Sequence, residues 1–291
     1  MSTLARSLVA LALGIFAVPA AAQDITVGSK KFTESVILGE IAGHVLRDAE
    51  IAVTHSREIG GTRVLWEALR KGDIDIYPEY TGTITQELLK GTDTHTMPLM
   101  RAALAKQGIR MTAPLGFNNT YAIGVKRQTA TRYGLKKLSD LRRHADISLG
   151  FSNEFLDRGD GWPALRLKYR LPQRKIRGLD HDLAYRGLAA GSIDGIDVYT
   201  TDAEIAYYDL VLLEDDQRHF PVYKAVFLYR ADLADRAPGA ATALARVEGR
   251  IDAPRMSAMN GDVKLRKQAE SSVAAGFVKR ELNIVATTAE T

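Results

Sequence analysis

The sequence predicts an α/β protein with room for two lobes. Three observations carry that expectation. Short β-rich apolar runs alternate with helical patterns, the chain is 291 residues long, and one helix–glycine–strand–tyrosine unit occurs twice. Alternation of this kind builds sheets with helices on both faces.

The rhythm starts after residue 22. A β run at 25–27 precedes a helical pattern over 35–46, where Ile37, Ile41 and Val45 recur on one face; a second β run follows at 51–53. A helix over 62–69 leads to a strand at 74–77. Further strands are expected at 121–125, 147–150, 196–199, 211–213 and 225–228, with helices over 162–169 and 183–190. No Pro/Gly/Ser-rich linker interrupts the series, so strands themselves must join the lobes. The repeated unit runs from Leu69 through Gly72 to Tyr77, and again from Leu188 through Gly191 to Tyr199. Each glycine suits the left-handed turn that ends a helix. Each tyrosine then falls at a strand's C-terminal end, where open α/β sheets place ligands.

Residues 1–22 form a separate object. Arg6 supplies a positive start, Leu8 to Val18 an apolar stretch, and Ala20, Ala21 and Ala22 a small-residue site, which together predict a secretory signal cleaved after Ala22. The apolar stretch ends at Pro19, short of the roughly 20 residues a spanning helix needs. With no cysteine to carry a lipid, the expected product is free in the periplasm.

Composition removes several chemistries. Cysteine is absent, which excludes disulfides, thiolate zinc sites, iron–sulfur clusters and thiol nucleophiles. Lys and Arg number 39 against 35 acidic residues, a net charge of +4 too dispersed for a nucleic-acid surface. The histidines are scattered with no H-E-x-x-H, no G-x-S-x-G elbow occurs, and Gly28, Ser29 and Lys30 lack the earlier glycine of a phosphate loop. No catalytic residue, metal or cofactor is expected. Asp73, Asp75, Asp194 and Asp197 read as strand-end carboxylates that cap turns or pair with Lys and Arg, and the tripeptide Arg158 to Asp160 as a turn.

A set of local strings stands out: GSKKFTE at 28–34 with ILGEI at 37–41, YPEYTGT at 77–83, NNTYA at 118–122, FLDRGDG at 155–161, DVYTTD at 197–202, and DD at 215–216 before FPVY at 220–223. Together and in this order they resemble the osmoprotectant-binding family, the substrate-binding proteins of ABC importers for glycine betaine, choline and related quaternary amines. The resemblance runs from about Ile25 to the C-terminal helices. It implies a two-lobed periplasmic binding protein fold of type II with two crossover strands, lobe 1 being 23–122 and 225–291 and lobe 2 being 123–224. It also implies a cation box of Tyr80, Tyr121, Tyr199 and Tyr223 and a carboxylate clamp of Lys30, Thr83 and Arg158. Lys30, Tyr80 and Thr83 would stand on lobe 1, Arg158 and Tyr199 on lobe 2.

The chemistry suits those residue types. A trimethylammonium group has no N–H to donate, so aromatic faces are the attractive surface open to it. At ~0.5–2 kcal/mol per ring, four rings contribute on the order of 2–8 kcal/mol before ordering costs. Micromolar binding needs roughly 8 kcal/mol, so charge-assisted bonds of ~1.5–3 kcal/mol each to a ligand carboxylate would complete it. Tyr133, Tyr169 and Tyr229 read as packing residues; Tyr77, beside Tyr80, is open between supporting the site and touching ligand. The implied protein is a monomer that carries out no reaction and hands a quaternary amine, glycine betaine first, to a membrane-embedded ABC permease. Choline or another betaine-like cation, a sensor module with the same ligand, and a secreted hydrolase with an unrecognised Ser-His-Asp site are the alternatives.

Overall fold

A computed structural model describes residues 24–285; the expected signal segment lies outside them. Ten strands occur among the described residues: β1 (Ile25–Gly28), β2 (Val53–Ser56), β3 (Ile76–Tyr80), β4 (Ile109–Met111), β5 (Tyr121–Lys126), β6 (Leu149–Ser152), β7 (Ile176–Leu179), β8 (Gly195–Tyr199), β9 (Leu210–Leu213) and β10 (Ala225–Arg230). They form two five-stranded sheets, ordered β2-β1-β3-β10-β4 and β7-β6-β8-β5-β9. Each is an α/β layer, as the alternation predicts, and each repeats one plan. Three parallel strands come first, then an antiparallel strand reached by a crossing, β10 in one sheet and β5 in the other, and then an edge strand antiparallel to it.

The repeated unit occupies the same place in both sheets, the third strand. Gly72 ends helix Thr62–Lys71 with φ +85°, and Gly191 follows helix His181–Ala189 with φ +74°, the left-handed values that glycine takes without strain. The tyrosine pairing shifts, however. β3 runs on through Pro78 and Glu79, which break the apolar run that marks it in sequence, so the strand-end counterpart of Tyr199 is Tyr80. Tyr77 is fully buried in the core behind it. β4 and β7, which no run predicts, are short edge strands: β4 buries Ile109 and Met111 around an exposed Arg110, and β7 has no fully buried residue.

Two extended segments cross between the sheets and are tied to each other. The Asn119 N–H donates to the Tyr223 carbonyl (3.0 Å), the Tyr223 N–H to Asn118 Oδ1 (2.7 Å), and the Ala225 N–H to the Phe117 carbonyl (3.2 Å). Tyr121 and Ala122, placed by the sequence reading at the end of the first lobe, pair with Tyr199 and Val198 and so start the second sheet. Ala225 opens β10 in the first.

Helix Thr33–Asp48 is the central support of the first sheet. It is buried from Glu34 to Leu46, because the sheet covers one side and the C-terminal helices Ala253–Lys264 and Glu270–Leu282 the other. Phe277, on the last helix, is fully buried in this core. Phe277→Ala should lower unfolding free energy by ~3–5 kcal/mol in denaturant titration, the usual cost of deleting a buried ring; a loss below ~1 kcal/mol would show that the C-terminal helix does not belong to this core.

Candidate functional site

The C-terminal ends of the parallel strands face a cleft between the sheets, the position open α/β sheets give to ligands. Every residue proposed from sequence lines one cavity there: Lys30, Tyr80, Thr83, Tyr121, Arg158, Tyr199 and Tyr223. Tyr133, Tyr169 and Tyr229 do not line it; Tyr169 is buried and its hydroxyl donates to Asp215 (2.5 Å).

Local backbone explains the placement. Tyr80 ends β3 and Tyr199 ends β8, while Tyr121 begins β5 directly opposite Tyr199. Their rings lie 5.2 Å apart, and Tyr223, just before β10, meets Tyr121 edge-on at 5.7 Å. The Tyr223 ring packs against Gly82, where a Cβ would come within 2.4 Å of it. Burial pushes the hydroxyls of Tyr80, Tyr121, Tyr199 and Tyr223 above the ordinary phenol value. All four therefore stay neutral and keep their electron-rich faces.

The two expected clamp cations are both paired. Lys30 Nζ sits 2.7 Å from Glu79 Oε1 and 3.1 Å from Thr62 Oγ1. Arg158 forks onto Asp160 through Nε (2.7 Å) and Nη2 (2.6 Å), and its Nη1 points to Thr83 Oγ1 (3.3 Å) and Thr62 Oγ1 (3.4 Å). The reason is electrostatic, since both side chains are buried and an unpaired buried cation costs several kcal/mol. Burial raises the Asp160 carboxyl, yet Arg158 and the Tyr223 hydroxyl, which donates at 2.5 Å, hold it below its ordinary value. Arg158 also stands 5.6 Å from the Tyr121 ring centroid. What faces the cavity is the Nη1 edge of Arg158 with the hydroxyls of Thr62 and Thr83, and Glu154 Oε1 stands 3.9 Å from the same Nη1.

Several cavity residues carried no role in the sequence reading. His181 lies 4.5 Å from the Tyr199 ring and shares a 2.8 Å bond with Asp202, which also takes the Tyr199 N–H (2.9 Å) and the Tyr185 hydroxyl (2.7 Å). Glu34 takes hydrogen bonds from both lobes and from Asn119 at the crossing. Glu34 and Asn119 fall inside the strings that carry the resemblance, so a signal for them existed. Thr62, His181 and Asn260 had none, because each becomes a site residue only through contacts far along the chain. Around the mouth, Lys264 pairs with Asp182 (Nζ to Oδ1 2.6 Å) and the Gly159 N–H donates to Glu87 (2.6 Å). These bonds join the two lobes, so the conformation is a closed one.

Of the aspartates read as strand-end carboxylates, Asp75 takes the Thr26 N–H and pairs with Arg236, as expected, and Asp194 takes the Ser148 N–H. Asp197 departs from that role: it lies inside β8, fully buried, and takes the Ser152 N–H and hydroxyl. Among the described residues no helix is long and apolar enough to cross a membrane.

Two sheets of this order, with a cleft of aromatic and paired polar groups between them, define a type II periplasmic binding protein. The chain belongs to the OpuAC family, the substrate-binding domain of ABC-type glycine betaine transport systems, whose model matches residues 23–280. It is 31% identical to a glycine-betaine-binding protein of Pseudomonas aeruginosa over 96% of this chain and 95% of that one. It is 32% identical to an ergothioneine transport permease/ergothioneine binding protein of Helicobacter pylori over 89% of this chain, but spans only 48% of that relative's length. A crystal structure of a glycine betaine/carnitine/choline ABC transporter superposes with a TM-score of 0.71 at 28% identity, covering 88% of this chain and 98% of that one. These relatives are transport proteins, and the chain is read as a binding protein on the same footing.

His181 yields a pH test. Burial alone would lower its pKa, but Asp202 and then Asp197 push it up to about 9 from an ordinary 6.5. The protonated ring therefore stabilises the folded chain fully below pH 6.5, and the contribution fades as pH rises through 9. It amounts to at most on the order of 3 kcal/mol. The stability difference between wild type and His181→Gln, from denaturant titrations, should shrink over that interval; a difference that ignores pH would contradict the assignment.

Proposed function

We propose that this chain captures a compact quaternary ammonium compound bearing a carboxylate, glycine betaine first, and delivers it from the periplasm to a membrane-embedded ABC permease as a monomer that carries out no reaction. One observation carries the reading: four neutral tyrosines from distant segments line a single cavity beside the Nη1 edge of Arg158. The ring faces attract the trimethylammonium group, which can form no hydrogen bond. Arg158 Nη1, Thr62 and Thr83 stand together as donors for the carboxylate, and the charged donor contributes the most. The names of the relatives point the same way.

The ion pairs alter the case against choline. Free Lys30 and Arg158 would repel its ammonium, but each carries its own carboxylate. Preference for a betaine then rests on hydrogen bonds that a hydroxyl cannot match in number. A larger betaine with a ring, such as the ergothioneine in the name of the Helicobacter relative, is the second reading. It is favoured by cavity walls that extend past the tyrosines to His181, Asn260 and Lys264.

Thermal shift against glycine betaine, proline betaine, choline, carnitine and ergothioneine tests both. A ligand at about 100 times its Kd adds ~2.7 kcal/mol of stability, which is readily seen. Glycine betaine should give the largest shift and ergothioneine a smaller one; the reverse order selects the second reading, and no shift with any of them overturns both. Tyr121→Leu or Tyr199→Leu should weaken the bound amine by roughly 3- to 30-fold, while Tyr121→Phe, which keeps the ring, should change it little. In calorimetry Arg158→Ala should weaken glycine betaine far more than choline; equal losses would count against the carboxylate contact.

A further inference from the structure

Three buried cations at the cavity each meet a carboxylate, and Glu34 meets none of them. Lys30 lies on Glu79, Arg158 on Asp160 and His181 on Asp202. Glu34 lines the same cavity with only 7% of its surface exposed, and no cationic side chain among the described residues pairs with it. Four neutral donors hold its carboxylate instead. Oε1 takes the Tyr80 hydroxyl (2.5 Å) and Asn119 Nδ2 (2.9 Å), and Oε2 takes the Thr201 hydroxyl (2.5 Å) and Asn260 Nδ2 (2.9 Å). Two donors on each oxygen satisfy the acceptor sites of an ionised carboxylate. Its place in the first turn of the 16-residue helix Thr33–Asp48, whose N-cap Phe32 offers no side-chain partner, adds the favourable end of the helix dipole.

A buried carboxylate without a counter-ion is costly, and burial raises its pKa against the pull of the four donors. A cation entering the tyrosine box would relieve that cost. The connection is short, because the hydroxyl bonded to Glu34 belongs to Tyr80, one of the box rings. A phenol that donates to a carboxylate is polarised by it, which deepens the negative face of the ring.

We propose that Glu34 is the charge-selecting residue of the cleft: positioned behind Tyr80, its carboxylate is the counter-charge for the quaternary ammonium and makes the box favour a cation over an uncharged group of the same shape. The inference rests on the quaternary-ammonium reading above and adds a residue that acts through Tyr80. It separates two contributions, shape and apolar contact from the rings, charge preference from Glu34.

The test compares glycine betaine with 3,3-dimethylbutanoate, in which carbon replaces the quaternary nitrogen, by calorimetry on the protein and its variants. Both probes present the same carboxylate to Arg158, so their affinity ratio reads the cation alone. Glu34→Gln should lower the wild-type preference for glycine betaine by about tenfold or more, with less change for the isostere. Glu34→Asp, which keeps the charge, should retain most of the preference even if both ligands weaken. Should the Gln Nε2, facing two donors it cannot accept from, prevent folding by circular dichroism, Glu34→Ala reads the same quantity with water in the vacated space. Loss of both ligands by the same factor, to within about twofold, in Gln or Ala overturns the inference and leaves the quaternary-ammonium reading standing. A wild-type protein with no affinity for glycine betaine overturns that reading and this inference together.

Discussion

The site depends on the buried pair of Arg158 and Asp160. Asp160 binds two edges of the guanidinium and also accepts the Tyr223 hydroxyl, while Arg158 stands over Tyr121 and reaches Thr62 and Thr83 on the other lobe. One ion pair therefore positions two box rings and one contact between the lobes. Removing either partner would strand a buried charge at a cost of about 3–5 kcal/mol and release the rings it orients. The turn that makes the pair possible requires Gly161, where a Cβ would lie 1.9 Å from the Phe155 carbonyl oxygen. The tripeptide that reads in the sequence as a turn is one, and it also carries an internal strut.

Around that strut the fold supplies symmetry. Both sheets follow one strand order, so their third strands end facing each other and bring Tyr80 and Tyr199 to the same cleft. The crossings bring Tyr121 and Tyr223, whose main chains are hydrogen-bonded to segments of the partner crossing or the facing strand. A ligand held between such walls stabilises the closed arrangement in proportion to its preference for it. Glu34 belongs to the same design, since its donors come from the first lobe, the crossing and the second lobe.

Much of this was legible in sequence, and the omissions share a cause. Periodicity found the α/β alternation and eight of the strand positions, but missed β4 and β7, short edge strands without an apolar run. The helix–glycine–strand repeat found the equivalent strands, yet picked Tyr77 where Tyr80 ends β3, because Pro78 and Glu79 interrupt the pattern. The strings located the residues of the cavity but gave no partners. Glu79 lies 49 residues from Lys30, and Asp160 joins Tyr223 across 63. Pairings at that separation are set by packing, which is why both cations read as free clamps and His181 as one dispersed histidine.

The central claim is that ligand entry into the tyrosine box and closure of the two lobes are one event. Small-angle scattering during a glycine betaine titration, run beside calorimetry on the same sample, tests it most directly. The radius of gyration should fall and saturate with the calorimetric midpoint, because a ligand that touches both walls shifts the population from the open to the closed arrangement. Full calorimetric saturation with an unchanged radius of gyration would contradict it.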